Sequence, residues 1–280
     1  MKSMTEEEFA TFMRRRGIRV TRNNGRFWRA DQGRYQPTHF FARLSSSEMS
    51  RPALRCWAYR AALADGEEDL ANGFIPMHLV RDVQNYALEK LHRGKRRNIR
   101  TSLKRLTFVE IVEPRLLLEE GLQVLRSAVE RHEHGPRLGE RNYRKSLEPF
   151  FQPRRGLILG ALQGEELVGY VTAFVVERIG YVDEIHLTGN ALNMGVGPGL
   201  TYQLVETCKR SGTVETLVHG LVVSERPGLT RFKEQLGFPV VEVPAVYWIA
   251  PGAKQLLRLF RPHAYYRFTG YRTDSSRYSA

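Results

Sequence analysis

Three groups of residues in this sequence have types and spacings suited to chemistry. The first is the turn Gly195-Val196-Gly197-Pro198-Gly199, followed by Leu200. Glycine takes positive φ and lets a backbone approach a ligand closely, so a glycine-rich turn that opens a helix can aim N–H groups at a phosphate. The turn is not a Walker loop, because no Gly-Lys-Ser/Thr follows, and Leu200 stands where a dinucleotide loop needs a last glycine or alanine. The second group lies on Tyr181–Thr188, where strand alternation puts Glu184, His186 and Thr188 on one face and Asp183 on the other. Carboxylates and imidazoles are the side chains that serve as general bases. The third is the basic run Gly94–Arg105. Arg97, Arg100 and Lys104 share one helix face, while Ile99, Leu103 and Leu106 share another. Its cationic side is either a solvated surface or a grip on the phosphate of a substrate or an RNA backbone, which arginine forks suit.

The elements that must position these groups follow from periodicity. Residues 4–16 predict an amphipathic helix, with Glu6–Glu8 at its start and Arg14–Arg16 at its end, as the helix dipole favours. Residues 18–64 predict short strands at 18–20, 27–30, 39–42 and 54–59, with Trp28, Phe40, Phe41 and Trp57 as core. The stripe Leu79, Val83, Tyr86, Leu91, Ile99, Leu103 and Leu106 predicts a helical region over 78–106 that Gly94 breaks in two. Strands follow at 107–112, 157–162, 167–176 and 181–188, the middle two joined at Gln163-Gly164-Glu165-Glu166. Helices at 117–133 and 140–151 separate them from the first. His132 and His134 close one of these helices; two apart, they do not share a helix face, and a loop role beside an acceptor is the alternative to a bland one.

The order of these pieces resembles the core of the GCN5-related acyltransferases, the GNAT superfamily. That family's pyrophosphate loop has Arg or Gln, two residues, Gly, any residue, then Gly or Ala. The matching positions are Leu192, Gly195 and Gly197, with Leu200 as the apolar anchor of the helix; Leu192 departs from the pattern. A Tyr-x-x-x-Gly-Phe run often ends the family's fourth helix, and Lys233–Phe238 stands in its place with Lys233 for the Tyr. Gly228-Leu229, Phe232-Lys233, Gly237 and the Arg96-x-x-Ile99-Arg100 helix are similar to the FemAB-like branch, which transfers aminoacyl or acyl groups.

The resemblance covers roughly residues 89–250. It implies an α/β (α+β) fold, a mixed twisted sheet flanked by helices, divided into a reduced N-terminal half (1–88), an acyltransferase domain (89–250) and a basic tail (251–280). It implies acyl transfer from acetyl-CoA or another acyl-CoA to an amine, without a metal. Gly195, Val196, Gly197, Gly199 and Leu200 would hold the pyrophosphate, and a strand N–H at Leu187 or Thr188 would polarise the carbonyl. Glu184, then His186, would serve as base. Lys233 would stabilise an oxyanion or bind a substrate phosphate. Two alternatives stand beside this one. One takes aminoacyl-tRNA as donor, with Lys95–Arg105 holding the RNA. The other is a degenerate fold that only binds an RNA or a phosphorylated carrier.

Composition bounds these readings. A net charge of +13 over 280 residues attracts polyanions without choosing among them. No apolar run approaches the roughly 18 residues of a membrane span, and Met1–Gly17 has no apolar secretory core. With only Cys56 and Cys208, the expectation is a cytoplasmic protein without a cysteine metal site. Leu256, Leu257, Leu259 and Phe260 among Lys254, Arg258 and Arg261 predict an amphipathic tail, docked on the protein or lying on an acidic membrane.

Overall fold

The computed structural model describes residues 2–132, 139–151 and 156–272. The chain forms two compact units. One comprises residues 1–4, 80–220 and 235–238; the other comprises 5–79, 221–234 and 239–280.

The second of these begins with helix α1 (Glu6–Arg15), started by a capping box in which Thr5 and Glu8 exchange bonds. Strands β1 (Val20–Asn23), β2 (Arg26–Asp31), β3 (Arg34–Pro37), β4 (Arg43–Leu44), β5 (Ala58–Leu63) and β6 (Gly73–Val80) follow. Trp28 and Tyr35 are buried in its core, and Trp28 meets Tyr59 edge to face. The predicted strand at 54–59 starts late. Leu54 and Cys56 turn their carbonyls to the Arg51 guanidinium, and regular pairing begins only at Ala58. Residues 39–42 form a turn rather than a strand.

The helix expected over 78–106 is confined to α2 (Arg93–Arg105). Residues 73–80 are strand β6, whose run Phe74-Ile75-Pro76-Met77-His78-Leu79 buries both faces, and Leu79 fits the helical stripe by coincidence of spacing. The first unit continues with β7 (Thr107–Glu110), α3 (Leu122–His132), α4 (Glu140–Phe151), β8 (Gly156–Gln163), β9 (Glu166–Val176), β10 (Ile179–Leu187), α5 (Val196–Ser211) and β11 (Thr216–Leu221). Its strand order is β11-β10-β9-β8-β7, parallel only between β10 and β11. All of β9 beyond Glu166 is buried, which makes it the centre of the core. A two-residue turn at Gly164-Glu165, with Gly164 at φ 64°, joins β8 to β9.

The chain then forms α6 (Pro227–Gln235), β12 (Val240–Ile249), α7 (Pro251–Phe260) and α8 (Pro262–Thr269). Strand β12 lies antiparallel between β5 and β6, so residues 240–249 are part of the same unit as the N-terminal strands. In α7, Leu256, Leu259 and Phe260 are exposed. The fold is thus of the mixed α/β class, sheet flanked by helices. Cys56 is buried in one unit and Cys208 in the other, both as free thiols. No helix among the described residues is long and apolar enough to cross a membrane.

Candidate active site

Strand β10 is where the titratable residues meet. Its pairing with β9 slips between Val182 and Glu184, leaving Asp183 as the extra residue of a bulge. Thr172, buried on β9, fills the gap: its hydroxyl donates to the Asp183 carboxylate at 3.3 Å and accepts the Glu184 N–H at 3.2 Å. Beyond the bulge, Glu184 and His186 share a face, with the imidazole Nε2 2.9 Å from the Glu184 carboxylate. Glu184 is exposed, while the His186 side chain is 15% exposed and packs 5.1 Å from the Tyr170 ring. The Tyr143 hydroxyl lies near Tyr170. Burial, first among the causes, pushes Tyr143 up to about 12, and it pushes Tyr170 up as well. Both phenols therefore stay protonated at neutral pH beside a carboxylate–imidazole pair. This geometry lets the pair take up a proton from a group arriving over β10.

Strand β10 also opens. Its pairing with β11 ends at Tyr181–Val218, yet β10 runs on to Leu187. Thr188 commits both its N–H, at 3.0 Å, and its hydroxyl, at 3.2 Å, to the Val168 carbonyl on the β9 side. Alternation then turns the Leu187 N–H toward the opened edge, so of the two predicted carbonyl-polarising donors Leu187 has the suitable direction. Arg131 of α3 donates to the Leu187 carbonyl at 3.2 Å and brings a cation to this end of the strand.

The glycine turn does open a helix, but it is covered. Gly195 caps α5 at φ 72°, and Gly195, Val196, Gly197, Gly199 and Leu200 are all buried. A Cβ on Gly195 would come within 2.6 Å of the Asn98 carbonyl oxygen, and one on Gly199 would meet the Ser102 hydroxyl and lie 2.6 Å from the Phe108 ring. The spacing Gly195-x-x-x-Gly199 therefore faces Asn98-x-x-x-Ser102, and the glycines admit helix α2 to van der Waals contact with α5. Ser102 is fully buried there and bonds the Ile99 carbonyl at 2.9 Å. Leu192, the departing position of the loop motif, is 45% exposed.

The other side of α2 carries the charge. Arg93, Arg96, Arg97, Arg100, Thr101 and Lys104 line an open cavity of about 390 Å³. Arg97, Arg100 and Lys104 are thus brought together as the helical spacing predicts. Ile99 is buried on the inner face, whereas Leu103 is partly exposed. The helix is capped by His92, whose Nδ1 accepts the Gly94 N–H at 3.2 Å, and its first turn has no acidic residue. Cations in a first turn oppose the helix dipole.

Lys233, on α6 of the second unit, is 7% exposed, and burial pulls its pKa down to about 8. It is a buried lysine, not a solvated one on a helix surface. The Gly237-Phe238 pair that follows belongs to the first unit. Gly237 takes φ 84° against Tyr86 and Leu91, and Phe238 packs on His219. The side chain of His132 and all of His134 lie outside the described residues. Among the described residues, no group of three His, Cys, Asp or Glu side chains could hold a metal ion.

Sequence reasoning missed Thr172, Arg131 and the closeness of Tyr143 to Tyr170. Tyr170 sits in an apolar run and Tyr143 on the apolar stripe of an otherwise charged helix, so both are legible as core only. A bulge leaves no mark in an alternating strand.

Comparison with known proteins bears on these arrangements. Residues 122–238 match the model of the Acetyltransferase (GNAT) family. No curated protein sequence matches the chain. Among solved structures, the chain is similar to the C-terminal domain of a candidate lysylphosphatidylglycerol synthetase from Agrobacterium fabrum, with 15% identity, a TM-score of 0.61 and 94% of this chain and 92% of that one covered. It is similar to FemX at 10% identity and TM-score 0.60, covering 92% of this chain and 99% of that one. L-PGS from Bacillus licheniformis matches at 15% identity and TM-score 0.57, over 89% of this chain and 95% of that one. At these identities the likeness is one of fold.

Proposed function

We propose that this chain, which carries a GNAT-superfamily acyltransferase domain in the fold shared with the FemAB-like branch, transfers an aminoacyl group from aminoacyl-tRNA to an amine acceptor. Acyl transfer as the general reaction is supported by the match of residues 122–238 to the Acetyltransferase (GNAT) family. The observation that carries the choice of donor is the two-sided use of α2. Its inner face packs on the Cβ side of Gly195 and Gly199, and its outer face carries a row of cations on an open cavity, which suits a polyanion larger than a pyrophosphate. A row of arginines along one helix tracks a nucleic-acid backbone, since each can neutralise a phosphate and release a counterion.

In this reading the acceptor nitrogen attacks the ester carbonyl carbon of the aminoacyl end. The carbonyl π pair moves to oxygen, where the Leu187 N–H is aimed, as an oxyanion site requires. The Glu184–His186 pair takes the proton from nitrogen. The oxyanion then reforms the carbonyl, the ester C–O bond breaks, and the released 3′-terminal oxygen is protonated from the same pair. Tyr143 and Tyr170 back the pair as neutral phenols. Each of these residues lies in the first unit.

The test is binding and transfer by the full chain. Aminoacyl-tRNA should bind with a steep salt dependence. The double variant Arg97→Glu, Arg100→Glu should flatten that slope and abolish transfer, with its fold intact. Acetyl-CoA titrated under the same conditions should not bind. If acetyl-CoA binds and supports transfer, and Gly197→Asp removes that binding while tRNA has no effect, the donor is an acyl-CoA and the proposal fails.

A further inference from the structure

A second cationic cavity lies wholly within the other unit, and nothing in the acyl-transfer reading uses it. It has a volume of about 270 Å³ and is lined by residues of β2, β3, β5 and α8 and by Leu221, the last residue of β11, where the chain has already passed into this unit. Strand register builds it. Arg29 on β2 pairs with Gln36 on β3, and Arg34 lies two residues before Gln36 on the same face. On β5, the guanidinium of Arg60 donates to the Gln36 side-chain oxygen through Nε at 3.3 Å and Nη2 at 3.0 Å. Its third bond goes to the backbone carbonyl of Arg267 on α8. Arg60 is 4% exposed and lies 5.3 Å from the Phe268 ring. Four guanidinium groups, those of Arg29, Arg34, Arg60 and Arg267, thus surround one space that also touches Asp31, Leu221 and Ala264.

The charges do not balance. Asp31 pairs with Arg34, and Glu225 pairs with Arg267 at 3.2 Å. Arg60, the innermost, has only neutral acceptors among the described residues. Burial and the charges of Arg29, Arg34 and Arg267 together pull its pKa down, yet only to about 9, so it stays cationic at neutral pH. A buried cation without an anion is costly, and like charges on neighbouring strands repel. An oxyanion in the cavity removes both costs. Arginine forks match phosphoryl oxygens, and the excess of positive charge favours a dianion over a monoanion. The space is larger than a phosphate needs, and part of its wall is apolar. Its cations come from three strands and a helix around one space rather than from a row along one helix, which suits a small ligand better than a polymer backbone.

We infer that this cavity is a binding site for a small phosphate-bearing molecule, its phosphoryl group against Arg60 and its uncharged part along Leu221, Ala264 and Phe268. The site is independent of the aminoacyl-transfer reading and stands whether or not that reading does.

Calorimetric titration of the full chain tests it, with glycerol 1-phosphate, inorganic phosphate and acetate as probes. Glycerol 1-phosphate should bind best and acetate not at all. Arg34→Gln, at a partly exposed position, should weaken binding roughly tenfold or more while leaving the melting temperature in anion-free buffer unchanged. Arg60→Lys keeps the charge but loses the fork, and should weaken binding as well. Sedimentation with phosphatidylglycerol vesicles separates two sources: pelleting that Arg34→Gln abolishes identifies a lipid headgroup, and retained glycerol 1-phosphate binding without pelleting identifies a soluble metabolite. The proposal is overturned if Arg34→Gln leaves affinity unchanged, if acetate binds equally well, or if Arg97→Glu with Arg100→Glu abolishes glycerol 1-phosphate binding. The last result would put the ligand on α2.

Discussion

The Asn98 carbonyl oxygen lies over Gly195 so closely that any side chain on Gly195 would come within 2.6 Å of it. One helix turn further on, Ser102 does the same to Gly199. The glycine spacing is therefore a steric requirement of helix–helix contact, and the cationic groove is seated on it. Gly199→Ala should lower the unfolding free energy by about 1–3 kcal/mol, the usual range for overpacking a core. A denaturant titration checks this. Unchanged stability would mean that α2 does not rest on the turn.

The Glu184–His186 pair should carry the proton transfer. Glu184→Gln keeps the shape and removes the basic oxygen, so turnover should fall by about 100-fold or more with little change in donor affinity. Wild-type turnover in single-turnover assays would remove Glu184 from the mechanism.

Thr172 acts on the pair through the bulge. Thr172→Val removes the hydroxyl that accepts the Glu184 N–H and donates to the Asp183 carboxylate, at a cost of about 0.5–1.5 kcal/mol per hydrogen bond lost. Turnover should fall with it, because Glu184 loses its backbone anchor. Thr172→Ser should restore the rate. Failure of serine to rescue would show that the site depends on packing rather than on this hydroxyl.

Lys233 ties the stability of the protein to pH. Its folded pKa of about 8 lies below the ordinary 10.5, so between these values the unfolded chain binds a proton that the folded chain does not. Stability contributed by this group therefore rises with pH through that window, and below it the full burial penalty applies. Lys233→Met should stabilise the protein near pH 7 by on the order of 2–3 kcal/mol, and the gain should vanish above the upper value. The same variant should lose turnover more than donor affinity if the lysine serves the reaction. Thermal melts at two pH values, with an activity assay, decide both parts.

Much of this was legible in the sequence because alternation and helical spacing are local. Strands β8 to β10 follow from runs such as Leu167–Val176, and the shared face of Arg97, Arg100 and Lys104 follows from arithmetic on 3.6 residues per turn. The pairing of Glu184 with His186 was legible for the same reason. The burial of the glycine turn was not. Glycines at 195 and 199 suit a phosphate cradle and a close helix crossing alike, and the crossing is visible only once α2 is in place. The helix expected over 78–106 was wrong in its first half because Leu79, Val83 and Tyr86 satisfy helical spacing while strand pairing claims residues 73–80. Arg29, Arg34, Arg60 and Arg267 are scattered along the chain, and no local pattern brings four arginines to one cavity.

The two cysteines offer an unplanned instrument. Cys56 and Cys208 are each fully buried, one in each unit, and burial raises both thiols, that of Cys208 to about 12. Neither can react with a thiol reagent until its own surroundings open. Labelling rates at the two positions, followed by mass spectrometry of the separate peptides, therefore report the opening of each unit independently within one native chain. Equal rates would describe a protein that opens as a whole. Unequal rates would name the half that breathes, and adding tRNA or glycerol 1-phosphate would show which half each one quiets.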